Sequence, residues 1–563
     1  MIMTDDQDLK MNSIDYQPLV QKYFKEQGTT FTSHYCTIAQ CCPSRVSLLT
    51  GKAAHNTNVT DVRAPFGGYS KFVEQGLNGQ WLPSWFQQGG YNTYYVGKLM
   101  NNHSVQNYNK PFPQGFNATD FLIDPGTYIY YNSTMQSNTD PPRNLPNQYS
   151  TDVVASRAMD FMQAGIGADA PFFLTVAPIG PHGQTIFPRS PGNPSNFPIF
   201  DPPVAAQRHQ DLYQGVKVPR TSSYNPEIPN SPSYLKNLPR WNQTVIDYYD
   251  EFYRIRLASL AAVDELVESI MTKAEQLGIL DNTIFIYTSD NGFHIGQHRL
   301  PAGKSCAYEE DINIPFFIRG PGIAKNATIN SPTSHTDIAP TLFELAGLSL
   351  REDFDGIPMP VTKNRRNSKP DGGPSYGPGR EKQVIKQEHV NVEFWGSQSP
   401  EGKYGASLMP LSNNNTYKSV RLVSLDFNLV YVVWCTNERE LYEMQNDPEQ
   451  MQNLAITFGS PLPASTPSTK APYNDPTYVA KLQNRLDTLL MVLKTCKGNT
   501  CVQPWKVMHP DGSVNSLSDA MNSQYDDFYA GQPKIAYVAC AQGYLRGLEG
   551  PGADTGDVHV WSN

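Results

Sequence analysis

Three groups of residues in this 563-residue chain carry side chains suited to chemistry on an anion. The first is a pair of dipeptides, Asp5-Asp6 near the start and Asp290-Asn291 far downstream. Hard cations take several oxygen ligands, and these four side chains can supply them. Each dipeptide alone is more often a helix cap or a turn, so the argument rests on their combination. The second group is a set of isolated cations: Lys98 after Gly97, His182 in Gly180-Pro181-His182, and Lys304 in Pro301-Ala302-Gly303-Lys304. A lone Lys or His is usually solvated or a satisfied core residue. Where such groups converge they hold anionic oxygens and protonate leaving groups. The third is Cys41-Cys42-Pro43-Ser44-Arg45. Arg45 lies four residues after Cys41, one turn away if Pro43 begins a helix. Read alone, the two cysteines are equally compatible with buried structural thiols.

The longer stretch Cys41-Cys42-Pro43-Ser44-Arg45-Val46-Ser47-Leu48-Leu49-Thr50-Gly51 resembles the sulfatase signature C-x-P-S-R-x-x-x-L-T-G at every fixed position. The resemblance implies that Cys41 is oxidised to formylglycine by a maturation system, with Cys42 at the variable position. A hydrated aldehyde carries two hydroxyls on one carbon. One attacks sulfur; the other collapses back to the aldehyde and expels sulfate, an exit that an ordinary Ser lacks. Arg45 is then expected to brace the diol. The resemblance also implies a metal site, usually calcium in this family, formed by Asp5, Asp6, Asp290, Asn291 and the modified Cys41. Lys98 would hold sulfate oxygens, and His182 or Lys304 would protonate the departing oxygen. Many sulfatases place a His two or three residues after the Lys matching Lys98; here Met100 and Asn101 stand there. Asn101 can orient a hydroxyl but is no base. His294, just after the Asp290-Asn291-Gly292 turn, is the candidate substitute, with a structural role as the alternative. The finer match is to fungal-type arylsulfatases and the N-acetylglucosamine-6-sulfatase branch.

The elements that must position these residues follow from apolar runs that stop at polar loops. Tyr94-Tyr95-Val96 ends at Gly97-Lys98, Phe172 to Val176 ends in the loop holding His182, and Thr283 to Thr288 ends at Ser289-Asp290-Asn291. Sites in open α/β sheets form at the carboxyl ends of strands, so the three loops are expected to converge. Apolar residues at Leu260, Val263, Val267 and Ile270 predict a helix over 245–277 that packs on the sheet and stops before Gly278. Only Met1-Ile2-Met3 precedes Thr4, whereas the resemblance implies a full central strand before the paired Asp. Most of that strand, and any signal peptide, is expected to be missing from the sequence. The expected fold is an alkaline-phosphatase-like α/β sandwich over residues 1–361, with a large mixed sheet flanked by helices. A Gly-, Pro- and charge-rich linker or exposed loop follows at 362–382. Residues 383–563 are expected to form a smaller α+β unit with an antiparallel sheet and a helix near Tyr478 to Leu493.

Composition narrows the partners. Apolar residues at 39% and charged residues at 17% are globular values. A net charge of -9 with a pI near 5.7 argues against nucleic acid, which requires a basic face. No run approaches the ~20 apolar residues of a membrane span. Sequons at Asn58, Asn102, Asn117, Asn132, Asn242, Asn326 and Asn414 predict a glycoprotein of a secretory, cell-wall or lysosome-like compartment. Cys496 and Cys501, five residues apart, are the best disulfide candidate, with Cys435–Cys540 a further possibility. The expected substrate is a small-molecule or carbohydrate sulfate ester, its leaving group shaped by the Tyr- and Asn-rich stretch 108–147. Three alternatives stay open: a glucosamine 6-sulfate hydrolase, a phosphomonoester or phosphonate hydrolase, and an inactive binding protein with an unmodified Cys41.

Overall fold

The computed structural model describes residues 1–186, 198–229, 232–362, 387–409 and 413–561. The linker expected at 362–382 lies, after its first residue, outside the described residues.

Among the described residues, ten strands form one mixed sheet. In chain order they are β1 (Ile2–Thr4), β2 (Thr29–Phe31), β3 (Asn92–Lys98), β4 (Ala118–Leu122) and β5 (Tyr131–Ser137). Then come β6 (Arg143–Tyr149), β7 (Phe172–Ala177), β8 (Phe285–Ser289), β9 (Phe316–Arg319) and β10 (Ala327–Ile329). Their spatial order is β10-β2-β9-β8-β1-β7-β3-β4-β5-β6. The middle five, β8-β1-β7-β3-β4, are mutually parallel, so their carboxyl ends share one edge.

The sheet is covered on both sides because its residues alternate. Met3, Tyr95, Phe121 and Ile286 face α1 (Cys41–Thr50), meeting Val46, Leu48 and Leu49. Ile2, Tyr94, Val96, Val176 and Tyr287 face α2 (Ser150–Ile166) and α3 (Gln243–Gln276). The predicted stripe Leu260, Val263, Val267 and Ile270 is buried there, each such side chain contributing about 1.5–3 kcal/mol. Leu277 caps α3, and Gly278 follows with φ +67°. Asp264, on the same helix, is buried and accepts the backbone N–H groups of Leu19 and Val20 at 2.9 and 2.8 Å.

The strand before the paired Asp runs over Ile2–Thr4. Ile2–Thr4 lies between β8 and β7, with Met3 opposite Thr288 and Thr4 opposite Ser289. The Met1 amino group donates to the Leu174 carbonyl at 2.8 Å. These three residues set the register of the two that follow them.

A second sheet contains β11 (His389–Phe394), β12 (Tyr417–Val423), β13 (Asn428–Trp434) and β14 (Arg439–Glu443), all antiparallel. Both faces are covered. Leu429, Tyr431 and Val433 pack on Leu482, Leu486 and Leu489 of a helix at Pro476–Leu493. Val430, Val432 and Trp434 point the other way, onto Tyr35, Cys36 and Ile38 of the large unit. Buried ion pairs tie the units together: Glu393 with His55 and Lys418, and Arg421 with Glu309 at 2.6 Å. Cys496–Cys501 forms as expected, and Cys435–Cys540 is a second disulfide.

Gly97 shows how tightly the edge is built. Its φ is +103°, and a Cβ there would stand 2.1 Å from the Ala177 carbonyl oxygen of the neighbouring strand. Gly97→Ala should therefore part β3 from β7 just before Lys98. The strained φ alone costs about 1–3 kcal/mol. Chemical denaturation should show a lower midpoint than wild type; an unchanged midpoint would mean that the strands separate freely here.

Candidate active site

The parallel strands deliver the predicted residues to one place. β1 ends at Asp5 and Asp6, β8 at Asp290 and Asn291, and β3 at Lys98. The chain after β7 turns through Gly180-Pro181 to His182, and Asp5 bridges to Pro181. α1 begins at Cys41 itself, two residues earlier than Pro43, and all ten of its residues are buried. Cys41 thus sits in the first turn, where the helix dipole favours negative charge.

Cys41 Sγ lies 3.5 Å from Asp5 Oδ1, 3.7 Å from Asp6 Oδ1 and 3.3 Å from Lys304 Nζ. The Asp6 backbone N–H donates to Asp290 Oδ1 at 3.0 Å, locking the two acidic loops together. Lys98 Nζ pairs with Asp5 Oδ2 at 2.6 Å and stands over the Tyr128 ring. Lys304 Nζ reaches both Asp6 oxygens at 2.5 Å. His182 directs Nε2 toward Asp6 Oδ2 at 3.5 Å, gives Nδ1–H to the Gly183 carbonyl at 2.7 Å, and stacks on Tyr128. Nine of the eleven predicted chemical residues, Cys41, Arg45, Lys98, His182, Lys304, Asp5, Asp6, Asp290 and Asn291, form this one network.

Two residues have partners that their sequence positions do not show. Arg45 is fully buried and turned toward the carboxylates, with Nε on Asp290 Oδ2 at 2.8 Å and a further nitrogen 3.6 Å from Asp5. Another of its N–H groups meets the Lys98 carbonyl. It braces the acidic ligands themselves. His294 is held elsewhere: Nδ1 pairs with Asp311 at 2.7 Å and Nε2 meets Gln398 at 2.9 Å. It groups with Cys306 and Asp311, while Asp5, Asp6, Cys41 and His182 form a separate group. Asn101 does reach the cavity in front of Cys41 and donates to Tyr128 Oη at 2.6 Å.

Burial and charge set the protonation states. Asp5 is pushed up to about 7, first by burial and then by Asp290, against Lys98 and Arg45. Burial also opposes ionisation of Asp6, but Lys304, His182 and Lys98 outweigh it and hold its carboxyl below the usual range. Burial, with help from Lys304 and Lys98, lowers His182 to about 3 against the pull of Asp6. Burial disfavours the Lys98 ammonium, yet Asp5 and Cys41 hold it above the ordinary lysine value. Asn291 is fully buried; its Nδ2 donates to Asp6 at 2.7 Å while its Oδ1 has no hydrogen-bond partner. Three carboxylates with an orphaned amide oxygen beside them fit a hard cation, with Asp5, Asp6, Asp290 and Asn291 as its holders.

The sulfatase family model matches residues 1–348. The chain belongs to the sulfatase family. It is 36% identical over 555 residues to an arylsulfatase of Volvox carteri, covering 96% of this chain and 81% of that one. It is 42% identical over 432 residues to the sulfatase ppz1 of Metarhizium majus, covering 76% and 86%. The solved structure of a protein in complex with its substrate D-glucosamine-2-N,6-O-disulfate superposes with a TM-score of 0.60 at 22% identity, covering 82% of this chain and 93% of that one. This sulfatase is therefore a sulfuric ester hydrolase with the alkaline-phosphatase-like fold.

Several residues of the sulfatase site gave little signal in the sequence. Ser44 donates to the Asp290 carbonyl at 2.6 Å and meets His335 Nδ1 at 2.8 Å, tying the signature helix to β8. Ser44 is inside the signature, and His335 opens the stretch His335-Thr336-Asp337, but neither has a type that announces such a role. Arg256, in mid-α3, donates to the Asp6 carbonyl at 2.5 Å and to the Pro181 carbonyl at 3.2 Å. Nothing in its neighbourhood in sequence points there.

Arg45→Met should leave Asp5 and Asp290 buried against each other with Lys98 alone between them. Breaking a buried pair in this way costs about 3–5 kcal/mol. Arg45→Lys should restore only part, since an ammonium cannot reproduce the fork that meets Asp290, Asp5 and the Lys98 carbonyl together. Denaturation midpoints ranked wild type, then Lys, then Met are expected; equal midpoints would contradict this role.

Proposed function

We propose that this sulfatase is an arylsulfatase-type hydrolase of sulfate monoesters, with Cys41 matured to formylglycine and calcium as its metal. The observation that carries this reading is the position of Cys41 Sγ, within 3.7 Å of both Asp5 and Asp6 and 3.3 Å from Lys304, at the floor of a cavity of about 180 Å³. His182, Lys304 and Asn101 also line that cavity.

One hydroxyl of the hydrated aldehyde gives its proton to Asp5, whose Oδ1 lies 3.5 Å from Cys41 Sγ, and forms a new O–S bond as the ester O–S bond breaks. The departing oxygen takes its proton from Lys304, whose ammonium lines the cavity; His182 spends its Nδ1–H on the Gly183 carbonyl and turns a bare Nε2 toward the site. The second hydroxyl then gives up its proton as the C–O bond to the sulfated oxygen breaks, which re-forms the aldehyde and frees sulfate. A bound dication would draw charge from the sulfate oxygens and lower the pKa of the diol. Lys98, beneath the cavity, holds Asp5 in place and adds positive charge where the sulfate binds.

A secretory glycoprotein is the compartment this reading takes. Asn117, Asn132, Asn242 and Asn326 are exposed, Asn58 and Asn414 are half-buried, and Asn102 lines the cavity. No described helix is long and apolar enough to cross a membrane. The formylglycine-generating system is the partner required for maturation.

Cys41→Ala should lower turnover of 4-nitrophenyl sulfate by roughly 10³-fold or more, since the covalent step is lost. Cys42→Ala should retain activity, because Cys42 packs in the apolar core behind the helix. Mass spectrometry of the peptide containing Cys41 should find the aldehyde; a free thiol in active protein would sink the reading. Asp290→Ala should lose bound calcium and activity together, as one anionic ligand and the partner of Arg45 disappear at once. Elemental analysis beside the aryl sulfate assay checks this, and full occupancy at normal rate would contradict it.

A further inference from the structure

The lining of the cavity carries buried hydrogen-bond acceptors that no donor among the described residues meets. Glu401 enters it from the smaller unit, on the stretch after β11, and no feature of its sequence neighbourhood marks it. Its backbone is pinned at both ends: its N–H donates to the Ala302 carbonyl at 2.8 Å, and its carbonyl accepts Tyr249 Oη at 2.9 Å. The residue is 2% exposed and lines the cavity with Cys41, His182 and Lys304. Its Oε2 is buried with no hydrogen-bond partner among the described residues. Gly183 makes room for it, since a Cβ there would stand 3.1 Å from that oxygen. Asn101 repeats the pattern. Its Nδ2 is spent on Tyr128, and its Oδ1 is buried without a partner.

A buried acceptor left unpaired costs about 1–3 kcal/mol, more when charged. Gln40 Oε1, Asp124 Oδ1 and Thr185 Oγ1 of the same lining are also unpaired among the described residues, so the cavity gathers acceptors aimed at something that donates. The sulfate end already offers donors, from Lys98 and Lys304. The occupant thus needs an anionic sulfate at one end and O–H or N–H groups at the other. A plain phenol leaves Glu401 and Asn101 unmet, whereas a sugar carries several donors. We propose that Glu401, with Asn101, reads hydroxyl or N–H donors on the leaving group and selects sulfate esters of polyhydroxylated alcohols over those of simple phenols. This rests on the sulfate-ester reading above and names its substrate class. Sites built to bond a substrate hydroxyl discriminate strongly against analogues that lack it, because the buried partner is then stranded.

The test uses the full, matured chain and compares kcat/KM for N-acetylglucosamine 6-sulfate and glucose 6-sulfate with that for 4-nitrophenyl sulfate. In Glu401→Ala the sugar-to-aryl ratio should fall at least tenfold. Glu401→Gln keeps the shape, loses the charge and should fall less, which guards against an unfolded Ala variant. The denaturation midpoint and the aldehyde content of the Cys41 peptide report folding and maturation of each variant. Equal losses on sugar and aryl sulfates would overturn the inference and leave the sulfatase reading intact, as would a wild type that turns over the aryl ester but neither sugar sulfate. A wild type that turns over none of the three would count against the sulfate-ester reading itself.

Discussion

Three carboxylates and three cations share one buried volume at the carboxyl ends of the central strands, and the rest of the molecule is arranged to keep them there. Asp5, Asp6, Asp290, Arg45 and Lys98 have side chains with no exposure, and Lys304 very little. A buried charge without a partner is far too costly to hold, so each must meet its opposite at close range. The six balance to zero. A dication entering with a singly charged sulfate ester and one ionised attacking oxygen would keep that balance, so the site can load and react without stranding charge.

The pairings depend on a register, and the register depends on very little chain. Met3 opposite Thr288 and Thr4 opposite Ser289 bring Asp6 to the Asp290 side chain. A slip of one residue would turn Ile2 and Met3 to the wrong faces of the sheet, where two separate cores receive them. Those cores are thus what aligns the acidic residues. α1 adds a second constraint, since its buried residues fix Cys41 and Arg45 one turn apart on the same face.

The smaller unit takes part in the site. One face of its sheet closes against Tyr35, Cys36 and Ile38, which lie just ahead of the signature helix. Its stretch after β11 carries Gln398 to His294 and Glu401 to the cavity. The Cys41 end of the cavity is thereby built by the large sheet, and part of its wall by the smaller one. Division of this kind lets that wall vary without disturbing the Cys41 end.

The sequence by itself determined the chemistry at the sulfate end. The signature from Cys41 to Gly51, the two acidic dipeptides and the three lone cations were legible as one cluster, because strand ends must place their following residues at one edge. The helix 245–277, the antiparallel sheet and the Cys496–Cys501 bridge were legible for the same reason: period, spacing and turn residues are local. The tertiary structure decided what depends on distant contacts. It turned Arg45 away from the cavity and onto Asp290, because a fully buried guanidinium must follow the carboxylates. It set His294 against Asp311 rather than beside Cys41, a choice that adjacency to Asp290 in sequence does not reveal. It also brought Arg256 to Asp6 and Glu401 to Cys41 across 250 and 360 positions of chain. Neither residue type nor local period carries such pairings; only the packing of both cores against one sheet brings them about.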